Sequence, residues 1–110
     1  MSKDFIGGAN MPPHVRIFPR GIRLNVSEQM LEFRPRFGLD RFFGPWILER
    51  RQVKLIYRQQ RGLNSFHSIG IVVSDDVWWS FYTNRPEEVL DCLEAFGYPI
   101  DSDARRKRRR

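Results

Sequence analysis

The residues that could do covalent or metal chemistry are few. His14 and His67 are the only imidazoles, and neither has a Cys, Asp or Glu at metal-ligand spacing. Cys92 is the only thiol, so it can form neither an internal disulfide nor a thiolate metal site. Asp75-Asp76 lies between two strand-like runs and reads as turn chemistry rather than as a carboxylate pair. Gly7-Gly8 and Gly62 lack the spacing of a phosphate-cradling loop. These residues assign no catalytic role, no metal and no cofactor, and an enzyme is set aside.

What remains is binding chemistry. Between residues 34 and 46, Arg34, Arg36 and Arg41 interleave with Phe37, Phe42, Phe43 and Trp46 among Gly and Pro punctuation. Guanidinium forks grip phosphates and carboxylates, and aromatic faces stack on bases or enter a lipid interface. Either the rings fold back as a lid with the arginines solvated, or they stay out and make the loop a binding edge. The lid is the expectation, because large apolar groups seldom stay exposed in monomers. A second candidate is the pair Trp78 and Tyr82, a partner patch if uncovered. The alternative is that a loose leader or the helix edge covers them.

The formal charge of +6 divides unevenly. Six cations are consecutive at the end, Arg105, Arg106, Lys107, Arg108, Arg109 and Arg110, and the first 104 residues balance. Within that body, residues 1–84 are basic and residues 85–104 are acidic. The tail could bind nucleic-acid phosphates or anionic lipid, or fold onto its own acidic helix.

These groups need elements to position them. Residues 77–83 alternate as a strand, with Val77, Trp79 and Phe81 on one face and Trp78, Ser80 and Tyr82 on the other. A helix follows, with Asn84 as expected N-cap, Glu87 at capping-box spacing and Pro86 in the first turn. Pro86, Val89, Leu90, Leu93 and Phe96 form its apolar stripe, and Gly97 and Pro99 end it. Upstream, residues 14–18 and 22–26 read as strand runs interrupted at 19–21, with 31–34 returning after a turn at 27–29. Shorter strands follow at 46–48, 53–58 and 66–73, with a helical turn at 49–52. Arg50, Arg51, Lys54, Arg58 and Arg61 would extend the positive field of the loop. Residues 1–13 are rich in Gly and Pro and are expected to be a flexible leader. Residues 101–110 are expected to be disordered. With neither a signal-like segment nor a membrane span in view, the chain is expected in the cytoplasm.

The run of antiparallel strands, the W-x-F-x-T strand and the sequence N-R-P-E-E-V-L-x-x-L-x-x-x-G resemble the end of small bacterial pleckstrin-homology-like (PH-like) domains. The stretch from Trp46 to Ile56 is similar to the middle of such domains. The resemblance covers roughly residues 14–100. It implies a mainly β fold: a bent antiparallel sheet or partly open barrel of six to seven strands, capped by one C-terminal helix. It also implies a non-catalytic module that docks a protein partner or an anionic membrane surface. Lipid-binding members carry a lysine-rich first hairpin loop, whereas the corresponding region here offers only Arg20. Phosphoinositide recognition is not carried over.

Overall fold

A computed structural model of the chain describes residues 2–11, 15–59, 67–74 and 77–101. Among these residues, seven strands and one α-helix follow in order. They are β1 (Ser2–Met11), β2 (Val15–Ser27), β3 (Met30–Pro35), β4 (Trp46–Glu49), β5 (Leu55–Gln59), β6 (His67–Ser74), β7 (Val77–Thr83) and α1 (Pro86–Ala95). The strands form one antiparallel sheet in the order β4-β3-β2-β1-β7-β6-β5.

That sheet is strongly bent. Phe33 on β3 and Phe81 on β7 are three strands apart in the order, about 14 Å in a flat sheet at ~4.8 Å per strand. Their ring centroids nevertheless lie 6.3 Å apart, and Phe33 approaches Trp79 to 5.3 Å. The two halves therefore curl toward each other and enclose one core, while β4 and β5 remain unpaired with each other, so the sheet stays open. Period-two alternation supplies the inner face: Leu24 and Val26, Leu31 and Phe33, Ile69 and Ile71 are all buried. Val89, Leu90 and Leu93 of α1 join the same core, as the apolar stripe requires. The mainly β, helix-capped architecture is the one expected.

Four expectations are corrected. The leader is not loose. Ser2–Met11 is a ten-residue strand inserted between β2 and β7, with Phe5, Ala9 and Met11 buried. Gly7 is needed there, because a Cβ on it would meet the Tyr82 carbonyl oxygen and the Phe81 ring. Gly7 lets β1 cross β7 at close range, and the pairing with β2 shifts register between Gly7 and Ala9. Likewise, residues 19–21 do not interrupt the second strand. β2 runs through them, with Arg20 at φ 72 absorbing the distortion. Arg34 and Pro35 belong to β3, so the loop begins only at residue 36.

The fourth correction is the helix cap. Asn84 does not cap α1; Arg85 occupies that place without a side-chain cap bond. The Arg85 N–H instead donates to Thr83 Oγ1 at 3.1 Å. The stop signal behaves as expected. Gly97, at φ 91, donates to the Glu94 carbonyl and Tyr98 to the Leu93 carbonyl, both at 3.0 Å, which is a Schellman ending. Tyr98 then donates its hydroxyl to the Ser27 carbonyl at 2.7 Å, tying the helix end to β2. Beyond it, the Ile56 N–H donates to the Pro99 carbonyl and the Asp101 N–H to the Ile56 carbonyl. This parallel bridge covers part of the β5 edge, which would otherwise offer unpaired backbone groups.

Candidate functional site

The loop 36–45 joins β3 to β4 and is anchored at its root. The Arg36 N–H donates to the Gly21 carbonyl at 2.9 Å, and its Nη1 donates to the Arg20 carbonyl at 2.8 Å. Phe37 and Gly38 both take positive φ, 63 and 78, a rare conformation for a bulky residue. A 3-10 turn at Leu39–Arg41 follows, and the N–H groups of Phe42 and Phe43 both donate to the Leu39 carbonyl. This sequence of tight turns throws the rings outward. Phe37 is 69% exposed, Phe42 76% and Phe43 57%. The lid expected for them does not form. Only Trp46 turns in, packing against the core next to Gly44, where a side chain would collide with its ring.

The arginines of the loop divide by partner. Arg34 is held by Glu32 at 3.0 Å and Asp40 at 3.6 Å, which places its charge within a local network. Arg36 lies 4.7 Å from the Phe37 ring centroid, a cation–π distance. Arg41 is exposed and makes no ion pair among the described residues. Arg36, Phe37, Arg41, Phe42 and Phe43 therefore share one outward-facing loop, and Arg34 and Trp46 form its root.

The wider positive field is smaller than expected. Arg58 leaves it: the side chain is only 7% exposed and pairs with Glu87 Oε2 at 2.8 Å. This pair joins β5 to the first turn of α1. Arg51 pairs with Glu49 at 2.6 Å, and Arg50 Nη1 points to the Phe96 carbonyl at 3.5 Å. Lys54 is exposed.

Trp78 is 51% exposed on the outer face, in register with Val72 and, through it, with Leu55. Tyr82 is half-buried and lines a different feature. This is a cleft of about 640 Å³ between residues 3–7 of β1 and the turn from β7 into α1. Lys3, Arg20, Arg36 and Arg85 line it, together with Asp4 and Glu88. Sequence reasoning missed it by setting the leader aside. The signal was present: Phe5, Ala9 and Met11 recur at the period of a strand, with Gly7 in the same series.

Other candidates add no chemistry. His14, Arg61, Asp75, Asp76 and the tail Arg105 to Arg110 lie outside the described residues, as does the side chain of His67. Among the described residues, no three His, Cys, Asp or Glu side chains converge on a metal position. Burial pushes the Cys92 thiol above its ordinary pKa, against the opposing pull of Lys3, so it stays protonated at neutral pH. No described helix is long and apolar enough to cross a membrane. No family model and no curated protein matches the chain.

Proposed function

We propose that the chain is a non-catalytic, cytoplasmic PH-like binding module that docks on an anionic membrane surface through the loop 36–45. The observation that carries this reading is the outward placement of Phe37, Phe42 and Phe43 beside Arg41, with no acid paired to that arginine among the described residues. Rings of this size reach the interfacial layer, and cations nearby add attraction to anionic lipid. The strand order and the capping helix support the PH-like reading of the scaffold. A protein partner is the second reading, favoured by the exposed Trp78 in its row with Val72 and Leu55. Nucleic-acid binding through Arg105 to Arg110 is the alternative that rests on charge alone.

Sedimentation with phosphatidylserine-containing vesicles tests the reading. The chain shortened by residues 105–110 should still bind, because the tail contributes only a diffuse attraction. Phe42→Ala/Phe43→Ala should reduce binding at least tenfold, and neutral vesicles should bind poorly. Binding that disappears with the tail and ignores the double substitution would transfer the function to the tail.

A further inference from the structure

β1 and β7 are paired only at Gly8, Ala9 and Asn10, opposite Tyr82, Phe81 and Ser80. The first half of β1 continues past the end of β7. There it pairs with β2 on one side, and among the described residues no strand pairs with the other side. That open edge forms one wall of the 640 Å³ cleft, a volume in the ~300–1,000 Å³ range of ligand pockets. The opposite wall is the start of α1. Side chains alternate along the edge, with Phe5 buried inward and Ile6 partly exposed.

The charge of the cleft is unbalanced. Four cations, Lys3, Arg20, Arg36 and Arg85, meet two carboxylates. Asp4 is engaged by Asn25 Nδ2 at 2.7 Å, and among the described residues Glu88 pairs with Arg85 alone, at 3.9 Å. Arg20 and Lys3 make no ion pair among the described residues. An open strand edge supplies backbone donors and acceptors for an added strand, and alternate side chains of that strand read the walls.

We propose that this cleft binds an extended acidic peptide segment of a partner protein, added as a strand along residues 3–7 of β1, with its carboxylates against Lys3, Arg20, Arg36 and Arg85. Both features are needed. The edge selects extended backbone, and the cations select the acidic side chains. About five residues of peptide span that edge at ~3.3 Å each. This site is distinct from the ring-bearing tip of the membrane-docking loop and shares Arg36 with its root.

A labelled, end-blocked peptide alternating Glu and Val tests the assignment by fluorescence anisotropy with the full-length chain. It should bind, and Lys3→Glu and Arg85→Glu should each weaken binding at least tenfold; two separate variants guard against one that fails to fold. Methylating alternate backbone nitrogens of the peptide should cost a further tenfold or more at unchanged charge. Bound peptide should also slow amide hydrogen exchange within residues 3–7. A peptide that does not bind overturns the proposal. Equal binding of the methylated peptide would show charge attraction without strand addition, including attraction to the tail, and overturns it too. Displacement by millimolar inorganic phosphate, without dependence on methylation, would make the cleft a small-anion site. Self-association of the free chain that the peptide reverses would make a second copy the occupant. Vesicle sedimentation is read separately, so failure of the peptide leaves the loop assignment standing.

Discussion

Gly7 sits just before the stretch where β1 pairs with β7, with the Tyr82 carbonyl and the Phe81 ring in the space a methyl would need. Backbone cannot yield there as a flexible side chain could. Gly7→Ala should therefore cost about 1–3 kcal/mol, as overpacking in a core does. A urea titration should show a lower midpoint at unchanged slope. Tyr98 offers a pH test. Burial raises its phenol to about 12, against a smaller pull down from Arg50, from an ordinary value near 10. The folded state favours the neutral phenol that donates to the Ser27 carbonyl. Its stabilisation is complete below pH 10 and is lost as pH rises from about 10 to 12, about 2–3 kcal/mol for a shift of this size. Tyr98→Phe should flatten that part of the stability profile, measured by denaturant titration at pH 9 and pH 11.5. An equally steep decline in the variant would assign the loss to other groups.

At the scale of elements, α1 is fastened at both ends by polar contacts and along its length by its apolar stripe. Its first turn is held to β5 by Arg58 and Glu87, and its end to β2 by Tyr98. Removing one member of a buried ion pair leaves the other charge desolvated, at a cost of ~3–5 kcal/mol when both are fully buried. Glu87 is partly exposed, so Glu87→Gln should cost less, about 1–3 kcal/mol, read as a lower thermal midpoint. The helix and most strands were legible because periodicity and stop signals are local: Leu90 and Leu93 had to face the core, and Gly97 had to end the helix. The cap was misread for an equally local reason. Short polar side chains next to a helix start compete for its first amides, and here Thr83 Oγ1, one residue before Asn84, takes the Arg85 N–H.

The molecule as a whole separates what holds the fold from what faces outward. Phe42 and Phe43 contribute little to the core, so Phe42→Ala and Phe43→Ala should each change stability by no more than about 0.5 kcal/mol. Trp46→Ala removes a ring packed on the core and should cost about 2 kcal/mol or more. Calorimetry of the three variants checks the contrast, and similar losses in all three would put the phenylalanines inside. The same division shows what residue order alone determined. Alternation set the strands, the 3.6-residue stripe set α1, and a sequence with two imidazoles and one thiol directed attention to binding. Only the tertiary structure decided that the Gly-containing first segment is a central strand, that the loop rings point outward and that four cations meet at an open edge. Those outcomes depend on pairings between distant residues: Gly8 with Tyr82, Phe33 with Trp79, and Lys3 with Arg85 across one cleft. Local sequence carries each residue's preference for strand, turn or solvent. It does not carry the partner that the bend of the sheet places opposite.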